Sequence, residues 1–69
     1  MSDLTKLTAL LVPRAVAALN DAADLSGDTR TDVLNRAVQV YAFILKEQAE
    51  GRRLALVDED GTIGWVRLL

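Results

Sequence analysis

The chain has no cysteine and no histidine, and it holds one proline and four glycines in 69 residues. Each shortage removes a class of protein. Without cysteine there is no disulfide framework, and without cysteine or histidine the common ligand sets for zinc, haem and iron–sulfur clusters are gone. Ser-His-Asp and Cys-His catalysis go with them. Long apolar runs are missing too: the longest uncharged stretch, Ala37 to Leu45, is far short of the roughly 18 apolar residues of a membrane span. The opening Met1-Ser2-Asp3 lacks the basic flank of a secretory leader, which predicts a cytoplasmic address and no membrane partner.

What is present is a globular composition, 51% hydrophobic and 26% charged, with a formal net charge of −2. A chain this short buries only about 60% of the surface its unfolded form exposes, so a lone core is marginal. Disulfides and the usual metals being excluded, oligomerisation is the staple that remains. The acidity weighs against nucleic acid, because phosphate binding is carried mostly by Lys and Arg. Geometry has to be set against that weight.

From Lys6 to Leu11 the chain alternates. Leu7, Ala9 and Leu11 share one apolar face, and Lys6, Thr8 and Leu10 share the other, which predicts a short strand. Pro13 stops it, biases Val12 toward extended geometry and suits the first turn of a helix. Val12 itself is a poor cap. The first helix is predicted over 14–25 with Val16, Leu19, Ala22, Ala23 and Leu25 inward, a thin alanine-rich stripe that favours close approach of a neighbour. Ser26-Gly27 ends it. Thr29-Arg30-Thr31-Asp32 then reads as a capping-box-like start.

A second helix is predicted over 30–50. Its apolar residues are Val33, Leu34, Ala37, Val38, Val40, Tyr41, Ala42, Phe43, Ile44, Leu45 and Ala49, a set too wide for a helix lying on one partner. One short helix and one strand cannot cover it, whereas a second copy of the same helix can. Gly51 closes the helix. From Arg52 to Leu69 the chain reads as a β-hairpin, with Asp58-Glu59-Asp60-Gly61-Thr62 suited to a type I turn followed by glycine in a left-handed bulge.

Strand, proline-led helix, glycine turn and Thr-capped second helix together resemble the ribbon-helix-helix family of DNA-binding proteins, of the Arc and methionine repressor type. Lys6 to Leu11, Pro13-Arg14-Ala15-Val16 with Leu19, Gly27, and Thr29 to Val33 leading to Ala37 and Tyr41 carry the resemblance, which covers about residues 5–50. It implies an α+β homodimer whose two N-terminal strands pair antiparallel into an intermolecular ribbon. The dimer core would hold Leu7, Ala9, Leu11, Val33, Leu34, Ala37, Val38, Tyr41 and Ile44. It also implies that the ribbon enters the major groove of double-stranded DNA. Lys6, Thr8 and Leu10 would then meet base edges, with Leu10 departing from the family's usual polar residue and able only to pack on a thymine methyl. Thr29, Arg30 and Thr31 would clamp a phosphate at the start of the second helix, between Asp28 and Asp32.

The expected organisation is therefore 1–51 as the dimerisation and DNA-binding domain, with 52–69 as a hairpin packed on it. No cofactor is called for. The expected function is a small sequence-specific transcriptional repressor. The alternative is a protein-interaction module, such as an antitoxin or assembly adaptor, acting through the hairpin. Leu54, Leu56, Ile63, Trp65, Leu68 and Leu69 are too apolar to stand in solvent, and a lone hairpin is marginal in water, so it must dock. Docking on its own dimer at the ends of the second helix is the simpler reading. Trp65, Ile63 and Leu56 form the candidate partner surface, with Trp65 its natural anchor. A monomer in which the N-terminal strand joins the hairpin as a three-stranded sheet is a further structural alternative. Arg52 and Arg53 read as charge complementing the helix C-terminus, with DNA backbone as a second use. The Asp58-Glu59-Asp60 cluster reads as a solvated turn, and no base–nucleophile pair stands out, so an enzyme is not expected.

Overall fold

The computed structural model describes residues 4–67. The expectations placed on Met1-Ser2-Asp3, Leu68 and Leu69 lie outside the described residues. The fold is α+β, with two helices followed by a two-stranded antiparallel sheet: α1 Pro13–Ser26, α2 Arg30–Ala49, β1 Ala55–Val57 and β2 Ile63–Trp65. The sequence places a boundary after Gly51. By its contacts the chain divides into two compact units between Leu34 and Asn35, within α2.

In the first unit, residues 4–12 form neither helix nor strand and are exposed throughout. The strand expected over 6–11 is not formed within the chain, because the sheet contains only β1 and β2 and leaves this segment no neighbour to bond. The three-stranded alternative is overturned by the same observation. Val12 is the N-cap of α1, extended at φ −69° and ψ 155°, and its side chain makes no capping hydrogen bond. Pro13 occupies the first turn, where its missing N–H costs nothing. At the other end Gly27 sits at φ +75° and its N–H donates to Ala23 O at 2.9 Å, a left-handed cap that a side chain would strain.

Along α1, Leu19 is buried at 7% exposure and Val16, Ala22 and Ala23 are half-buried, as the inward stripe requires. Leu25 departs from it, standing 89% exposed. Six residues beyond Leu19 a helix has turned to about 120° from it, off the stripe. Thr29 caps α2 as expected: its Oγ1 accepts the Asp32 N–H at 3.1 Å and its carbonyl accepts the Val33 N–H at 3.0 Å.

In the second unit, α2 ends in a Schellman arrangement. The Gly51 N–H donates to Gln48 O at 3.0 Å and the Arg52 N–H to Glu47 O at 3.0 Å. The hairpin follows. Gly61 N–H donates to Asp58 O at 2.9 Å, Asp58 N–H to Thr62 O at 2.8 Å, and Gly61 lies at φ +90°. This is the type I turn with a glycine bulge that the sequence predicts. The register pairs Ala55 with Trp65, Leu56 with Gly64 and Val57 with Ile63, and Val66 N–H extends it by donating to Leu54 O at 2.9 Å.

Candidate nucleic-acid interface

The residues expected to read bases lie on the segment that precedes α1. Lys6, Thr8 and Leu10 are all exposed, with Leu10 at 99%. Their counterparts meant for the interior, Leu7, Ala9 and Leu11, are exposed as well, Leu7 at 85%. Both faces of the segment are exposed, least so at Leu11, which is 42% exposed just before α1.

The expected phosphate clamp is a helix start. Arg30 and Thr31 occupy the first turn of α2 and are exposed, and Thr29 Oγ1 is engaged with the Asp32 amide. Asp28 N–H donates to Ser26 Oγ at 3.2 Å, which fixes the chain entering the cap. Of the remaining residues assigned to a dimer core, Val33 and Ile44 are half-buried, while Leu34, Ala37, Val38 and Tyr41 are exposed along α2. Val40, Phe43 and Leu45 add to the apolar surface that the helix leaves uncovered.

The hairpin separates the three residues grouped as a partner surface. Side chains alternate between faces along a strand and cross-strand partners share one, so Trp65, Ile63, Val57 and Ala55 lie on one face and Leu56 on the other. Trp65 is also not a bare anchor: the Arg53 guanidinium lies over its ring, 4.1 Å from the centroid. Sequence reasoning assigned Arg53 to helix-end charge, with DNA backbone as a second use, and missed this stack. The signal was available, since counting back from the turn puts Arg53 diagonal to Trp65 on one face. Arg52 Nη1 approaches Glu47 Oε2 at 3.5 Å.

In the turn, Asp60 Oδ1 accepts the Thr62 N–H at 2.9 Å. Hydrogen bonds from the Thr62 backbone and side chain hold its carboxyl below the usual carboxylate range. The Asp60 carboxylate is thus a structural part of the hairpin. No described helix is long and apolar enough to cross a membrane. Comparison with protein-family models, with curated proteins and with solved structures finds no match to this chain.

Proposed function

We propose that this chain is half of a homodimeric ribbon-helix-helix protein that binds double-stranded DNA and acts as a small transcriptional repressor. One observation carries the reading: Leu19 is the single buried apolar residue among those described, while Leu7, Leu11, Leu34, Val38, Val40, Tyr41, Phe43 and Leu45 remain between 41% and 85% exposed. Too little is buried for a lone chain of this size to be stable. A second copy supplies what is missing at both places, giving the 6–11 segment an antiparallel partner and α2 an apolar one. Folding and association are then one event, as in dimers with no stable monomer.

Pairing also gives the alternation a meaning. It turns Leu7, Ala9 and Leu11 toward the joint core, and so leaves Lys6, Thr8 and Leu10 outward, twice by symmetry. Lys6 donates to guanine O6 or N7, Thr8 bonds in either sense, and Leu10 packs on a thymine methyl. The Thr29-capped start of α2, with Arg30, takes a backbone phosphate. Selection of bound duplexes from random DNA at low salt tests the proposal, with an enriched palindromic or tandem motif expected. The Lys6→Ala, Thr8→Ala double variant should stay dimeric and lose that motif, at about 1–3 kcal/mol for each base contact removed. Unchanged binding of the double variant to the selected site overturns the ribbon readout. A folded 7.5 kDa species persisting at low concentration in sedimentation overturns the dimer.

A further inference from the structure

The base of the hairpin carries an arrangement that neither the dimer nor the ribbon uses. An open cleft of about 510 Å³ lies there, lined by Gln48, Arg52, Arg53, Leu54, Trp65 and Arg67 among others. Three of the chain's eight basic residues converge on it, and no acidic residue is among its described lining residues, although the whole chain is net acidic.

The register explains the convergence and makes it costly. Ala55 pairs with Trp65, and the Val66 to Leu54 bond carries the ladder one step further, so the next positions facing one another are Arg53 and Arg67. Like charges directly opposite on a sheet face repel. Glu47 approaches Arg52, whereas Arg67 has no ion pair among the described residues and Arg53 is held by the Trp65 ring. Nor are the guanidinium groups needed to cap α2, since backbone N–H groups already bond the Lys46, Glu47 and Gln48 carbonyls. Two facing cations beside an aromatic ring, with no acidic side chain among the described lining residues, give the cleft a cationic wall that suits an anion.

We propose that this cleft is a phosphate-binding site that takes the phosphodiester backbone of the bound nucleic acid, an inference that rests on the DNA-binding reading. Guanidinium forks match phosphate oxygens bidentately. Arg53 is already restrained on the Trp65 ring, so less side-chain freedom is lost on binding. The open cleft is larger than a single phosphate, and the indole edge beside the arginines suits the sugar of a continuous strand. Arg53, Arg67 and Arg52 bind the oxygens, Gln48 donates from its amide, and Trp65 packs against the sugar.

Trp65 is the only tryptophan and reports on the cleft directly. The test titrates the intact protein, followed by Trp65 fluorescence, with a 20-base-pair duplex of random sequence and with polyglutamate, across a series of salt concentrations. The duplex should change the emission, and Arg67→Gln should weaken its binding and lower the slope of log affinity against log salt by about one. Arg67 takes no part in the Trp65 stack, so this variant leaves the hairpin's internal contact in place. Arg53→Lys, which keeps charge but loses the fork, should bind more weakly than the parent. Unchanged affinity and slope for folded Arg67→Gln overturn the site. Polyglutamate binding more tightly than the duplex overturns phosphate in favour of an acidic protein. The Lys6→Ala, Thr8→Ala variant separates the two proposals: if the ribbon reading fails, Arg67-dependent binding of random duplex persists, and if the cleft fails, motif selection persists in Arg67→Gln.

Discussion

Two regions of this chain have strand-like sequences, and only the hairpin forms strands. Lys6 to Leu11 alternates apolar and polar residues more cleanly than Ala55–Val57 or Ile63–Trp65 does, yet it is exposed on both faces and pairs with no strand among the described residues. The hairpin strands are three residues each, but the Asp58–Thr62 turn returns one beside the other and closes the ladder locally. Alternation says which side chains share a face. It does not supply an edge, and an edge is what makes a strand. In the proposed dimer the first stretch obtains its edge from another molecule and the second from its own turn. The two should therefore fail differently.

The largest difference is expected at Leu7. In the single chain it is exposed, and a substitution at such a site usually costs within about 0.5 kcal/mol. In the dimer it lies under the ribbon, where Leu7→Asp leaves an uncompensated charge costing about 3–5 kcal/mol in each copy. Sedimentation and far-ultraviolet circular dichroism at matched concentration should show the variant monomeric and largely unfolded. A variant that keeps the parent's stability and association would place 6–11 outside any interface and remove the comparison's first half.

A smaller effect is expected at Gly61, on the side closed locally. Its φ of +90° is open to glycine and strained for a β-branched residue, so Gly61→Val should cost about 1–2 kcal/mol in the turn. Trp65 emission should report a hairpin opening at lower temperature, while sedimentation still reports the dimer. Loss of the dimer together with the hairpin would show that the two regions are coupled, and the contrast would not survive.

How much of this was legible follows the same division between local and distant causes. Both helices were readable to within a residue, because Pro13, Gly27, Thr29 and Gly51 act on groups one turn away. So was the bulged turn, from the acidic run and Gly61. Leu25 was misplaced because an alanine-rich stripe marks its own edges poorly. Alternation over 6–11 names no partner strand, and neither β1 nor β2 supplies one. The arginine cleft sat between these cases: each residue was visible, but Arg53 and Arg67 face one another only once the register is carried outward from the turn. Read from sequence, Arg52 and Arg53 open the hairpin as charge at the helix C-terminus, and nothing in that reading ties them to Arg67.

The smallest effect, and the finest division between the regions, comes from acid. Residues 4–12 contain no carboxylate, whereas the hairpin turn depends on one. Asp60 accepts the Thr62 N–H at 2.9 Å, and its pKa in the folded chain is lowered by that bond and by the Thr62 side chain. A lowered folded value means that the charged form is the one the fold prefers. The stabilisation is complete above the unfolded carboxylate range and is lost as pH falls through the folded value. Because the group is fully exposed, the change should be slight. Trp65 emission followed downward through the carboxylate range should show the hairpin loosening. Asp60→Asn keeps an acceptor for the Thr62 amide but cannot titrate, so its hairpin should lose this part of the pH response. A parent and a variant with identical acid profiles would mean that the turn is held by its backbone bonds and Gly61 alone.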